Sequence, residues 1–144
     1  MHKIRTFLLV GVLALAAVAL AGCASASEPK ASTTEGTWTL QAFGGAKSLT
    51  NADPEVKTEL TLSGAEAKGN GGVNSFSATY EAKDGGKLKF GDVTSTLMAG
   101  SPTAQGQEER FFKALKDTRR FTIDNGKLIL LSLDNDTLAI LVKK

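Results

Sequence analysis

The side chains able to do chemistry in this 144-residue chain are few, and their positions narrow what they can do. There is one cysteine, Cys23, and one histidine, His2. Cys23 closes an apolar run, Phe7 to Ala21, that follows Lys3 and Arg5. A basic start, an apolar stretch of roughly 7–15 residues and a small-residue exit predict a secretory signal peptide rather than a membrane span, which needs about 20 residues. If residues 1–22 are removed, His2 goes with them and the remaining 122 residues contain no imidazole. Ser-His and Cys-His nucleophiles and His-ligated zinc are then excluded by composition. Carboxylates, lysines, hydroxyls and Tyr80 are left for acid–base work. Glu108 and Glu109 are adjacent on a helical pattern and point about 100° apart, so they do not converge on one bond as paired acids must. A solvated helix face accounts for them. Asp134-Asn135-Asp136 lacks the glycine and glutamate of a calcium loop, and Gly69-Asn70-Gly71-Gly72 lacks the Lys-Ser/Thr ending of a phosphate loop. The expectation is a non-enzymatic chain with no cofactor and no metal.

Leu20-Ala21-Gly22-Cys23 resembles the lipobox of bacterial lipoproteins, in which the cysteine thiol is acylated and the peptide is cut before it. The resemblance implies cleavage between Gly22 and Cys23, a lipid (palmitate-type) anchor on Cys23, and a cell-envelope location. Ala24 follows the cysteine, so the outer membrane is the expected site if two membranes exist, facing the periplasm or the surface. Removing Lys3 and Arg5 from the 17 basic residues leaves 15 against 15 acidic ones, a net charge of zero. Nothing in that balance suggests nucleic acid.

These features need elements to position them. Ala24 to Glu35 is small and polar with Pro29, and reads as the end of a flexible tether, so the chain divides into signal peptide 1–22, lipidated tether 23–35 and folded domain 36–144. Thr37 to Leu40, Val56 to Leu62, Val73 to Ala82 and Leu88 to Phe90 alternate with period two and predict strands. Arg120 to Ile123, Lys127 to Leu133 and Thr137 to Val142 add three more, joined by Asp124-Asn125-Gly126 and Asp134-Asn135-Asp136 hairpins. The continuous apolar run Leu128 to Leu131 predicts a strand buried on both faces. Thr103 to Asp117 instead repeats at three and four through Phe111, Phe112 and Leu115, a single amphipathic helix started by Ser101-Pro102 and supported by a Glu109–Lys113 pair. The fold class is α+β, a curved antiparallel sheet or open half-barrel of about 7–8 strands packed on that helix.

The order of five segments carries a second resemblance. Gly36-Thr37-Trp38-Thr39-Leu40, Gly69 to Tyr80, Thr96-Leu97-Met98-Ala99, Glu109-x-x-Phe112-x-x-Leu115 and Phe121 to Leu130 together resemble the META domain family, the HslJ-like bacterial lipoproteins. The resemblance implies a small extracytoplasmic domain tied to envelope stress response or surface interaction, with Trp38, Asn74, Tyr80, Thr96 and Met98 as signature positions. It also implies a paired cysteine where this chain has Val73 and Gly100, which makes those two residues expected neighbours. The expected partners are the membrane, through Cys23, and an envelope protein. The alternative is a carrier or sensor holding a small hydrophobic ligand between helix and sheet.

Overall fold

The computed structural model describes residues 28–45 and 48–144. The signal peptide, the Gly22–Cys23 cleavage and the Cys23 lipid attachment lie outside the described residues. The described residues form ten strands and one α-helix: β1 (Gly36–Phe43), β2 (Thr50–Asn51), β3 (Glu59–Ser63), β4 (Glu66–Asn70), β5 (Ser75–Lys83), β6 (Lys87–Phe90), β7 (Thr94–Ser95), α1 (Pro102–Asp117), β8 (Arg120–Asp124), β9 (Lys127–Leu131) and β10 (Thr137–Lys143). Eight of them close on themselves in the order β1-β3-β4-β5-β6-β8-β9-β10, with β10 returning to β1. Every pairing is antiparallel. The result is an eight-stranded barrel, with β2 added against β1 and β7 against β5. The expected open half-barrel is thus closed, and its thinnest seam is β6–β8. One ladder pair, Lys87 with Arg120, joins those strands, helped by Leu88 N–H to the Arg119 carbonyl (3.1 Å) and Phe121 N–H to the Gly86 carbonyl (2.8 Å).

Alternation decides what fills the barrel. Trp38, Leu40, Leu60, Leu62, Phe76, Tyr80, Leu88, Phe90, Phe121, Leu128, Leu130 and Leu141 all face inward and are buried. An eight-stranded barrel is just wide enough for its side chains to fill it. α1 adds Phe111, Ala114 and Leu115 to the same core, with Phe76 edge-on to Phe111 at 5.8 Å. The helix starts as expected: the Ser101 Oγ accepts from Ala104 N–H (3.2 Å) and Pro102 occupies the first turn. At its other end Thr118 Oγ1 donates to the Ala114 carbonyl (2.6 Å). The hairpin chemistry also follows, since Asn125 (φ 48°) and Gly126 (φ 75°) take the left-handed conformation of a tight two-residue turn.

Four expectations change. Leu128 to Leu131 is not buried on both faces: Leu128 and Leu130 are inside, while Ile129 and Leu131 are half-exposed, because a barrel has only one interior. The strand read from Val56 begins at Glu59. Asp53 captures Val56 N–H on its carbonyl (3.1 Å) and Glu55 N–H on its side chain (2.9 Å), making a turn of the preceding residues. The Glu109–Lys113 pair does not form; Lys113 bonds Asp117 instead. Finally, residues 28–35 are not tether. Ala31–Thr34 is a 3₁₀ turn, Thr34 is buried, and its carbonyl accepts from Trp38 Nε1 at 2.7 Å. Ala31 N–H donates to Asp84 (2.7 Å) and Gly85 N–H to the Pro29 carbonyl (3.0 Å), which fastens this segment to the β5–β6 hairpin.

Candidate functional site

The loop from Thr96 to Gly100 crosses the N-terminal half of α1, and Asn74 ties the two together. Asn74 lies just before β5 and is buried. Its Oδ1 accepts from Met98 N–H (2.7 Å) and from Thr96 Oγ1 (2.8 Å). Its Nδ2 donates to Glu108 Oε1 (2.7 Å) and to the Met98 carbonyl (3.3 Å). All four hydrogen-bonding positions of the carboxamide are used, the full capacity of an Asn side chain.

Glu108 completes the clamp. Its Oε2 accepts from the backbone N–H groups of Asn74 (2.6 Å) and Val73 (2.9 Å), in addition to the Asn74 side chain on Oε1. Burial pushes the carboxyl's pKa up, but these three bonds outweigh it and hold it below the ordinary 4.5, so it is ionised at neutral pH. Glu108 is therefore 7% exposed and fully engaged, not part of a solvated face; Glu109 alone is exposed. The neighbouring Gln107 plays a parallel part on the other side. Its Oε1 accepts from Asp53 N–H (2.8 Å), and its Nε2 donates to Thr58 Oγ1 (3.0 Å) and the Val56 carbonyl (3.2 Å). Among the described residues no buried side-chain nitrogen or oxygen lacks a partner.

The glycine cluster makes this approach possible. A Cβ at Gly71 would stand 2.7 Å from the Phe112 ring and 2.8 Å from Glu108 Cγ. Gly72, at φ +137°, brings the following N–H groups round to the carboxylate. The cluster is a bend under the helix. Gly100 serves the same closeness, since a Cβ there would lie 3.3 Å from Cβ of Val73. The two positions expected as neighbours are in contact.

Of the signature positions, the structure joins Asn74, Thr96 and Met98 into this one network and leaves two outside it. Tyr80 lies six residues along β5, about 20 Å away at strand rise. Its hydroxyl, with its pKa raised by burial, faces Thr34, and its ring tilts against Phe90 at 6.3 Å. Trp38 is fully buried and holds the Thr34 carbonyl, with Lys143 Nζ 5.4 Å over its ring. Both fix the N-terminal segment to the barrel. Glu108 and Gln107 were missed by sequence reasoning, although Glu108 lies three and seven residues before Phe111 and Leu115, on the same buried stripe.

The clamp grips backbone and leaves side chains free. Leu97 is 96% exposed and Met98 is 62% exposed, side by side on a loop whose own main chain is fixed. A buried carboxylate is costly to desolvate, several kcal/mol for an ion of this kind, and here the compensation is spent on the shape of a surface loop. The arrangement suits presentation of an apolar contact and offers no convergent acid–base pair.

The class so defined is a one-helix antiparallel barrel that displays a clamped loop. The chain belongs to the META domain family, whose model matches residues 31–144. No curated protein matches it. It is similar to a Burkholderia xenovorans protein solved by NMR, at 24% identity and a TM-score of 0.64, over 95% of this chain and 97% of that one. It is also similar to the crystal structure of a DUF4847-family protein from Bacteroides vulgatus ATCC 8482, at 16% identity and a TM-score of 0.57, over 76% of this chain and 93% of that one. At these identities the likeness is one of fold.

Proposed function

We propose that this META-domain chain is a lipid-anchored, extracytoplasmic, non-enzymatic module that works by presenting the Leu97–Met98 loop to an envelope protein, in stress protection or surface interaction. The observation that carries the reading is the Asn74–Glu108 clamp. Single exposed apolar side chains are common on soluble proteins, but a buried ion fixing the backbone beneath two adjacent ones is not. The anchor rests on Leu20-Ala21-Gly22-Cys23, and the non-enzymatic reading on the missing imidazole and thiol after Cys23.

A second reading has its own observation. A groove of about 470 Å³ runs between α1 and the β1–β10 side of the barrel, lined by Phe43, Ala114 and Leu138, with Arg110 at its rim beside Lys113, which pairs with Asp117. That is room for a small hydrophobic ligand with an acidic end. Two changes separate the readings. Leu97→Asp with Met98→Asp abolishes function and leaves the melting temperature within about 2 °C if the loop is the contact. Leu138→Trp, which fills the groove, abolishes function if the ligand reading holds and is silent otherwise.

A further inference from the structure

The path of the N-terminal segment fixes which face of the barrel lies nearest the anchor. We propose that this face, built on β5, β6 and the α1–β8 junction, docks on an anionic phospholipid surface; the inference rests on lipidation at Cys23. The described chain begins at Glu28, and the Pro29 carbonyl and Ala31 N–H are bonded to Gly85 and Asp84 at the tip of the β5–β6 hairpin. Cys23 lies five residues before Glu28. Five residues span at most about 18 Å. A lipid on Cys23 therefore holds Glu28 within about 18 Å of its attachment point and the hairpin, bonded to Pro29 and Ala31, within roughly three Debye lengths at physiological salt.

That side is basic. Lys83, Lys87, Lys89, Arg119 and Arg120 line one shallow cleft there, with the exposed Leu133 at its edge. The sheet geometry gathers them, since Lys83 pairs with Lys87 and Lys87 with Arg120 across the ladders, all side chains outward. Glu81 is the one acid in the lining, and it pairs with Lys83 at 2.9 Å. Asp84 accepts from Ala31 N–H and keeps its charge at the hairpin tip, and Asp134 and Asp136 flank Leu133 in the next loop, all three outside the cleft lining. The cleft thus carries an excess of four positive charges in a chain that is neutral after residue 22. A basic surface beside a lipid anchor adds an electrostatic attachment to anionic headgroups and sets which face meets them. The opposite arrangement, with acids beside the anchor, would repel the same membrane.

The test uses the chain from residue 23 with Cys23→Ser, which carries no lipid, and vesicles of phosphatidylethanolamine with increasing phosphatidylglycerol. At low ionic strength, binding should rise with the phosphatidylglycerol fraction and vanish in high salt. Each Lys or Arg at the surface is worth about fivefold, so Lys87→Gln with Lys89→Gln should weaken binding roughly 25-fold. Lys57→Gln with Lys68→Gln makes the same change in net charge elsewhere and should alter it less than about twofold. Binding that ignores phosphatidylglycerol, absent binding, or equal loss in both double variants overturns the proposal. The anchor reading fails separately, if the native protein extracted from membranes has no acyl mass on Cys23.

Discussion

Glu108→Gln changes one oxygen to an amide and tests the clamp with little change in volume. Its remaining Oε1 still accepts from the Val73 and Asn74 N–H groups, but as a neutral acceptor, and charge-assisted bonds are about twice as strong as neutral ones. Losing half of each costs about 1 kcal/mol per bond. The new Nε2 then faces Asn74 Nδ2, a donor against a donor where the carboxylate accepted at 2.7 Å. An unmatched buried donor costs about 1–3 kcal/mol, partly relieved here because Nδ2 keeps the Met98 carbonyl at 3.3 Å. Relief from burying a charge offsets some of this. The net expectation is a loss of about 2–3 kcal/mol, a fall in melting temperature of roughly 8–12 °C for a domain of this size. Thermal unfolding reads the loss, and hydrogen exchange locates it. The Met98 N–H depends on the Asn74 Oδ1, so its exchange should accelerate more than that of Leu128 in the core. The pH sign is fixed by the depressed pKa. Glu108 contributes its full stability above its unfolded value of about 4.5 and loses it as pH falls through the folded value. The gap between wild type and Glu108→Gln should therefore be wide at pH 7, begin to narrow near the unfolded value and close as pH falls below the depressed folded value. A variant that melts within about 1 °C of wild type, with Met98 exchange unchanged, would refute the clamp.

Other outcomes follow from the same geometry. Val73→Cys with Gly100→Cys should oxidise spontaneously, because the Cβ separation of 3.3 Å is close to the roughly 3.5–4.5 Å a disulfide spans; non-reducing mass spectrometry would show two thiols lost, and persistent free thiols would contradict the contact. That link should also raise the melting temperature, since closing a loop of this length is worth about 3.5 kcal/mol in the chain-entropy account. Cys23→Ser should leave unlipidated precursor, read as the absence of acyl mass and retention of residues 1–22. Leu97→Asp should leave stability within about 0.5 kcal/mol of wild type, as expected for a side chain that touches nothing, while abolishing partner contact.

The parts of the fold governed by local pattern were legible in the sequence. The Ser101-Pro102 start of α1, the Phe111 and Leu115 stripe and the Asn125-Gly126 turn all follow from residue types a few positions apart. Barrel closure was not legible, because the β1–β10 pairing joins Trp38 to Lys143 and nothing in either strand names its partner. The same limit explains the misreading of Leu128 to Leu131, where composition shows an apolar run but only closure decides that one face is outside. At the site, Asn74, Thr96 and Met98 were visible as signature positions. Glu108 was not, because a charged residue on a helix is solvated unless distant groups surround it. Its partners come from 34 and 35 residues away. The docked segment Ala31–Thr34 was hidden for a related reason: small polar residues look like tether until Trp38 and Asp84 supply their hydrogen-bond partners.

The central claim is that the clamped Leu97–Met98 loop is the working surface of a membrane-anchored module. Site-specific photo-crosslinking in intact cells tests it most directly, with the reactive side chain placed at Leu97 in one strain and at Lys68, another exposed position, in a second. The account predicts one discrete envelope-protein adduct from position 97, lost on Glu108→Gln, and none from position 68. Adducts of equal yield from both positions, or none from position 97 in cells that hold folded protein, would contradict it.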